Sequence, residues 1–296
     1  MRVAAGAVPL LLLVLIAAAA LAQPEHDRSD WQEEPGSDTR LQEKAPEGYT
    51  PRLNKPVFHR PIQHSDRLPA IASELSSGQL LKETTLPRCE PNNEWYWIPS
   101  WLAGTWLSQE KTSFYSYDFR KRVKRTRQTR TGCEVREAFG CQRDKLGGVW
   151  HYVGVPFTLP TAEGAEKIIA LNRRAEPALV SEAEVVTRSL GTSIYVDKRT
   201  DRIVGLDETE DIETATPAGQ GMMKVHNSVK LFDKYGQPVE RTRSVRISRK
   251  IADFLPVDHY DGQDMKELFR EFLTARALYR LIPGDEHPGK DSGQGK

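Results

Sequence analysis

The feature that most limits the fold is a run of short, alternating strands between Trp95 and Ile251. Apolar and polar residues alternate there with a period of two, and turn-forming residues separate the alternating stretches. The segments Asp144–Gly148 and Asp197–Asp201 are two such separators, and each predicts a hairpin turn. Because no clear helical period interrupts the strands, the sequence predicts an antiparallel meander.

The number of strands indicates how this meander folds. About eight to ten strands fit between Trp95 and Ile251. A sheet of that size twists and usually curls, and closing it removes its exposed edges. We therefore predict a mainly β domain at residues 87–256, an antiparallel up-and-down meander that closes into a barrel. An open, strongly bent sheet is the alternative.

The hydrophobic period changes from two to that of a helix at Asp264. Asp264 and Glu267 resemble a capping box, and Pro283-Gly284 ends the pattern. The sequence predicts one C-terminal helix, packed on the barrel, within residues 257–283, and a disordered polar tail at 284–296. One apolar stripe comprises Met265, Leu268, Phe272, Ala275, Tyr279 and Ile282, and a second, Phe269 and Leu273, is expected to need a partner.

The N-terminus predicts export. Arg2, the apolar run from Leu10 to Leu21 and the sequence Ala20-Leu21-Ala22 together form the pattern of a secretory signal peptide at residues 1–22. We expect cleavage after Ala22 and a mature protein in the periplasm or outside the cell. No other stretch approaches the length of a membrane span, so we expect peripheral membrane contact at most.

Residues 23–86 are rich in proline and charged residues and predict a disordered or extended tail. Within the tail, Leu68, Ile71, Ala72 and Leu75 follow helical spacing. This spacing indicates a short helix that docks either on the body of the protein or on a partner.

The start of the strand region resembles a known family. Gly104-Thr105-Trp106 is similar to the Gly-x-Trp signature of lipocalins and other calycins, whose antiparallel barrels hold small, mostly apolar ligands at the mouth. The resemblance implies that Trp106 packs at the closed end under a basic residue of the last strand. Candidates for that basic residue are Arg243, Arg246 and Arg249, and Tyr115, Tyr117 and Trp150 supply aromatic surface for a ligand.

Charge patterning points to a binding surface. The chain carries 42 basic and 41 acidic residues, so its net charge favours neither nucleic acid nor membrane. A basic run nevertheless places seven positive charges within 11 residues, and alternation puts charge on both faces of a protruding hairpin or edge. An anionic surface or an envelope protein is the expected partner, with a plain solvated edge as the alternative. The run comprises Arg120, Lys121, Arg122, Lys124, Arg125, Arg127 and Arg130.

The segment Asp207–Glu213 holds five carboxylates, Asp207, Glu208, Glu210, Asp211 and Glu213. It is predicted to be a solvated edge, with a divalent-cation site or pairing with the basic run as alternatives. His226 is expected to be solvated. His151 is expected to be a partly buried strand histidine, with a haem or metal ligand as the alternative.

The three cysteines are disulfide candidates. Cys133 and Cys141 lie at the two ends of one predicted strand, about 26 Å apart if it is extended, far beyond the ~5.5 Å between the Cα atoms of a disulfide. They can bond to each other only if the middle of that segment turns. A link from Cys89 to either one is favoured, and it would fasten the tail to the barrel.

These patterns favour binding over catalysis. No Gly-x-Ser-x-Gly, His-Glu-x-x-His or Cys-x-x-Cys motif occurs, so we expect neither an enzyme nor a metal or other cofactor. The predicted function is that of an exported β-barrel protein that binds a small apolar or amphipathic ligand and no nucleic acid. A non-enzymatic interaction or assembly subunit of a cell-envelope complex is the alternative.

Overall fold

The computed structural model describes residues 62–71, 75–81, 93–154, 157–163 and 166–284, all of which belong to one compact unit. The predicted signal peptide, the tail before residue 62, Cys89 and residues 285–296 lie outside these ranges. The strands, in chain order, are β1 (Trp95–Ile98), β2 (Gly104–Asp118), β3 (Val123–Arg125), β4 (Thr129–Phe139), β5 (Gln142–Arg143), β6 (Val149–Tyr152), β7 (Phe157–Glu163), β8 (Glu166–Val180), β9 (Val185–Asp197), β10 (Ile203–Pro217), β11 (Met222–Phe232), β12 (Pro238–Ala252), β13 (His259–Tyr260) and β14 (Gln263–Asp264).

Nine of these strands form one antiparallel sheet. Its order is β3-β2-β12-β11-β10-β9-β8-β7, and β4 pairs with β2 on the same side as β3. Each strand from β7 to β12 therefore pairs with its neighbour in sequence, which confirms the predicted meander. A smaller sheet, β1-β6-β5, and the short pair β13-β14 complete the β structure.

The sheet does not close into the predicted barrel. Within the residues that the structure describes, β4 and β7 stay unpaired with each other at opposite edges of the sheet. The sheet nevertheless curls, as one hydrogen bond across it shows. The indole nitrogen of Trp101, just before β2, donates to the carbonyl of Glu182, between β8 and β9, at 2.7 Å. A flat sheet would place β2 and β9 roughly 19 Å apart, four spacings of about 4.8 Å. The open, bent sheet is therefore the architecture.

Aspartates begin three of the hairpin turns. The side chain of Asp144 accepts hydrogen bonds from the backbone N–H groups of Leu146 and Gly148 in the β5–β6 turn. Asp197 does the same in the β9–β10 turn, and Asp233 in the β11–β12 turn. Aspartate stabilises tight turns through these local bonds, so the hairpins predicted at Asp144 and Asp197 are confirmed.

The inner, concave face of the sheet is filled at one end. Ile98 and Leu102 pack there against Trp106, Phe139 and side chains of β9 to β11. The indole nitrogen of Trp106 donates to the carbonyl of Leu102 at 2.7 Å. The basic residue over the Trp106 ring is Lys250, at 5.1 Å from the ring centre, and not one of the three arginines implied by the family resemblance. The Lys250 ammonium also donates to the carbonyl of Ala103 at 2.7 Å, which holds it over the ring.

The C-terminal helix is shorter than predicted. Helix α1 spans Met265–Ala275, and a separate 3₁₀ turn follows at Tyr279–Leu281. Asp264 caps the helix as predicted, by accepting from the N–H groups of Lys266 and Glu267. The predicted apolar stripe was right at Met265 and Phe272 and wrong at its C-terminal end, because the break after Ala275 leaves Tyr279 63% exposed. The buried face consists of Met265, Phe269, Phe272 and Leu273, and therefore includes both residues expected to need a partner.

The tail from residue 62 packs along the outer, convex face of the sheet; we call residues 62–71 and 75–81 the strap. Residues 68–71 have no regular secondary structure. Two backbone bonds tie the strap to the β11–β12 turn, from Leu68 N–H to Gly236 O and from Ile71 N–H to Lys234 O, each of 3.0 Å. A third, of 2.7 Å, runs from Gly78 N–H to Ile203 O. Docking on the body is thus confirmed for this segment. The helix is absent at residues 68–71, while Leu75 belongs to a 3₁₀ turn and Ala72 lies outside the described residues.

No helix within the described ranges combines the length and the apolar character needed to cross a membrane.

Candidate functional site

The acidic strand β10 was predicted to be solvated, and this was wrong. Glu208 and Glu210 are 0% exposed and Asp211 is 3% exposed. Strand β10 lies between β9 and β11, and both of its faces are covered, so its side chains are buried on both sides. Four of the five carboxylates lie beside a cation or an amide outside the basic run. Arg173 pairs with Glu208, Arg188 with Glu210, and Arg246 with Glu213, and the amide of Asn227 donates to Asp211.

Glu210 fastens the strap to the outer face. Its carboxylate accepts hydrogen bonds from the backbone N–H of Ser65 at 2.6 Å, from the Ser65 hydroxyl at 3.0 Å and from Arg188 Nε at 2.8 Å. His64 Nδ1 lies 3.0 Å from the same carboxylate. Burial alone would raise the pKa of Glu210, but the hydrogen bonds from His64, Arg188 and Ser65 outweigh it and lower the pKa to about 2. The carboxylate is therefore ionised at any ordinary pH.

The same contact has the outline of a hydrolase triad. His64 lies between Glu210 and Ser228, whose hydroxyl is 2.9 Å from His64 Nε2. Acyl transfer also needs N–H donors aimed at the developing oxyanion. Ser228, however, lies within a central strand and pairs in register with Ile212 on one side and Arg243 on the other, so its backbone belongs to the sheet. The arrangement is an anchor for the strap and does not supply an oxyanion hole.

A second buried ionic cluster lies on the inner face. Arg246, 9% exposed, donates to Glu137 at 2.5 Å and to Glu213 at 2.7 Å. The amide of Asn227 donates to both oxygens of Asp211, at 2.9 and 3.0 Å, and to Glu213 at 3.1 Å. Three carboxylates thus share one guanidinium. We call these five residues the inner cluster.

Ionising all three carboxylates of the inner cluster would cost free energy, because they are buried and share one cation. Burial raises the pKa of Asp211 well above its usual range, and the neighbouring Glu213 carboxylate adds to this. Burial also raises the pKa of Glu137 to about 7. Although burial opposes it, the Arg246 guanidinium lowers the pKa of Glu213. The fold therefore favours the protonated form of Asp211 and the ionised form of Glu213.

His151 is the partly buried strand histidine that was predicted. Its ring packs against Tyr96 and Phe139, with ring centres 5.3 and 5.8 Å away, and accepts a hydrogen bond from Gly140 N–H at 3.2 Å. Burial lowers the pKa of His151 to about 4. In the part of the chain that the structure covers, no group of three His, Cys, Asp or Glu side chains is arranged to hold a metal ion. His226 is exposed, as expected.

The cavity that fits a small ligand lies under the strap. It has a volume of about 630 Å³ and lies between the β11–β12 turn, the start of β10 and strap residues 70, 71 and 75–77. Its apolar walls come from Ile71 and Leu75 of the strap, Leu206 of β10 and Val239 of β12. Polar side chains complete the lining, namely Ser76, Ser77, Arg120, Asp207, Asp233, Lys234 and Tyr235. We call it the strap cavity.

Charge within the strap cavity is balanced. Arg120 lies 3.5 Å from Asp233. Burial raises the pKa of Asp207, while a hydrogen bond from Tyr195 and the charge of Arg120 act in the opposite direction. The lining therefore joins an apolar wall to a small set of cations and carboxylates, an arrangement suited to a molecule with one apolar and one polar end.

The structure does not bring the predicted ligand-binding residues together. Gly104, whose φ of +127° and contact with Ala252 O exclude a side chain, begins β2 beside Trp106 in the filled end of the sheet. Trp150 donates to Asp144 at 2.8 Å and packs under α1. Tyr115 and Tyr117 are half-buried on the other end of β2, and Arg246 belongs to the inner cluster. None of these residues lines the strap cavity.

The basic run is an exposed edge, as predicted. All seven cations are exposed, and β3 pairs only with the end of β2. Of the acidic residues of β10, Asp207 alone is influenced by this run, through Arg120.

Cys133 is a half-buried free thiol at the edge strand β4, and Cys141 is a buried one. Burial raises the pKa of the Cys141 thiol to about 12. A link from Cys89 stays a prediction, because Cys89 lies outside the described residues.

The cavity residues were missed because they are distant in sequence. The strap contributes Ile71 and Leu75, and strands more than a hundred residues later contribute Leu206 and Val239. The apolar spacing in an otherwise polar tail was the available signal. No protein-family model, no curated protein and no solved structure matches the chain.

Proposed function

We propose that the chain is an exported, non-catalytic binding protein that holds a small amphipathic ligand in the strap cavity. The volume of the cavity, about 630 Å³, carries the proposal. Ligand pockets are generally concave spaces of roughly 300–1,000 Å³, mainly apolar, with a few polar groups that orient the ligand. The strap cavity has this size and this division of surface.

The position of the cavity also supports binding. It lies between the ties that fasten the strap at Ile71 and at Gly78, so one wall is a docked segment and the other a rigid sheet. A ligand can enter such a site when the docked segment moves away, without distortion of the strands. The inner face, by contrast, is filled by Trp106, Phe139 and the smaller sheet at one end.

An amphipathic fluorophore, anilinonaphthalene sulfonate, tests the proposal. Ser76 lines the cavity and is half-buried, so Ser76→Trp fills the space without replacing a core residue. We expect this variant to bind the probe at least about tenfold more weakly, because the indole occupies the volume that the probe needs. The matched control is Gln79→Trp, on an exposed strap residue outside the lining.

Circular dichroism and thermal melting first establish that both variants keep the wild-type fold. Probe affinity that is unchanged in Ser76→Trp would refute the cavity as the binding site. Equal weakening in both variants would also contradict it, because it would trace the effect to the strap surface. The alternative of an assembly subunit of a cell-envelope complex stays a prediction.

A further inference from the structure

The exposed basic edge carries more charge than the other described residues neutralise. We use the name basic edge for Arg120, Lys121, Arg122, Lys124, Arg125, Arg127 and Arg130. Only two of the seven take part in ion pairs with other described residues, Arg120 with Asp233 at 3.5 Å and Arg130 with Glu110 at 3.7 Å. Such long, exposed pairs hold little energy in water. At least five positive charges thus face solvent together.

The positive surface continues from the basic edge onto the outer face of β12. The guanidinium groups of Arg241 and Arg243 each lie 5.3 Å from the ring centre of Tyr115, and the Lys124 ammonium lies 6.0 Å from it. The buried Nε of Arg241 has no hydrogen-bond partner. Three cations around one phenol ring repel one another, and an anion beside them would relieve that repulsion.

The shape of the basic edge indicates which class of anionic partner it can bind. Successive side chains of a strand point to opposite faces, so Lys124 and Arg125 direct their charges to opposite sides of β3. The basic edge is therefore a protrusion charged on both sides and not a groove that would follow one strand of nucleic acid. Proteins that bind single strands stack bases on open aromatic rings. The Tyr115 ring already holds Arg241 and Arg243, so it offers no open platform.

We propose that the basic edge docks the protein on an anionic phospholipid bilayer. A fluid bilayer has no fixed shape to match, and its headgroups can gather around a protrusion that carries charge on every side. Clusters of Lys and Arg bind anionic membranes electrostatically, and each basic residue near the surface adds to the affinity. This proposal does not rest on ligand binding in the strap cavity, whose lining shares Arg120 with the basic edge.

Vesicle co-sedimentation of the full chain tests the proposal. One set of vesicles is phosphatidylcholine, and the other contains about one third phosphatidylglycerol. The test variant replaces Lys121, Arg122 and Lys124 with Gln. The control variant replaces three exposed cations far from the basic edge, Lys145, Lys167 and Arg280, and thus has the same net charge.

We expect the wild type and the control to partition onto anionic vesicles and to be released by high salt. The test variant should partition on the order of 100-fold more weakly. The apolar run at residues 10–21 would bind neutral and anionic vesicles alike, so the readout is the difference between them. Equal loss in both variants, or equal binding to both vesicles, would overturn the proposal. So would tighter binding to a single-stranded oligonucleotide than to anionic vesicles at the same salt.

Discussion

Replacing Arg246 with Met should lower the free energy of unfolding of the protein more at high pH than at low pH. Among the described residues, Arg246 is the one cation that pairs with the buried carboxylates of Glu137 and Glu213, to which it donates at 2.5 and 2.7 Å. Removing one partner of a buried ion pair generally costs about 3–5 kcal/mol, because the other charge is left buried and uncompensated. Met fills a similar volume, so the cost reflects charge and not a void.

The pH dependence follows from the carboxylates. The pKa of Glu213 is lowered in the folded protein by Arg246, against the effect of burial, so its contribution to stability is present at neutral pH and is lost as the pH falls. Without Arg246, both glutamates must take up protons to stay buried, and each proton costs about 1.36 kcal/mol per pH unit above the ordinary pKa. We therefore expect a loss of about 3–5 kcal/mol at pH 8 and a loss smaller by at least about 1.4 kcal/mol at pH 5.

Urea unfolding followed by tryptophan fluorescence at the two pH values measures this loss. The control is Arg243→Met, which removes an exposed arginine stacked on Tyr115 at 5.3 Å and should cost no more than about 1 kcal/mol. If Arg246→Met does not fold, the triple variant that also carries Glu137→Gln and Glu213→Gln should fold again. A loss below about 1 kcal/mol at pH 8 would refute the reasoning, as would an equal loss at both pH values.

Three further outcomes are expected. Burial raises the pKa of Asp211 and raises that of Glu137 to about 7, so native stability should fall as the pH rises from 5 to 7. Urea titrations should show that Asp211→Asn, which keeps an acceptor for Asn227, makes this slope shallower by up to about 1.36 kcal/mol per pH unit, while Glu137 supplies the slope that remains. A Cβ at Gly236, where φ is +72°, would lie 1.8 Å from Leu68 O, so Gly236→Ala should release the strap and speed hydrogen exchange at residues 62–71 at least about tenfold. Burial raises the pKa of the Cys141 thiol to about 12, so this thiol should react with iodoacetamide at pH 8 only after denaturation. Peptide mass spectrometry measures the labelling, and a labelled Cys141 in the native protein would contradict its burial.

Local signals in the sequence predicted much of the sheet. Alternation and the turn-forming aspartates Asp144 and Asp197 act over a few residues, so the strands and hairpins that they specify can be read without the fold. Closure depends on whether β4 meets β7, which are edges formed by distant segments. No local pattern determines whether these two edges come together. The sequence therefore did not reveal that β4 and β7 stay unpaired with each other in the described residues, and the barrel prediction was wrong.

The candidate site was harder to predict because its parts come from distant segments. The carboxylates of β10 look solvated in sequence, and only the fold places Arg188 beside Glu210 and Arg246 beside Glu213. The strap looks like a tail because proline and charge dominate it, although Leu68 and Leu75 are buried against the sheet. A few apolar residues are enough to dock an extended segment when the sheet supplies backbone and ionic partners.

Native mass spectrometry of the protein purified from the cells that export it tests the binding function most directly. The strap-cavity account predicts a bound small molecule on the wild type and on Gln79→Trp, and its loss from Ser76→Trp. A bound molecule that persists in Ser76→Trp would contradict the account. Wild-type protein that carries no bound molecule and also fails to bind the amphipathic probe would contradict it as well.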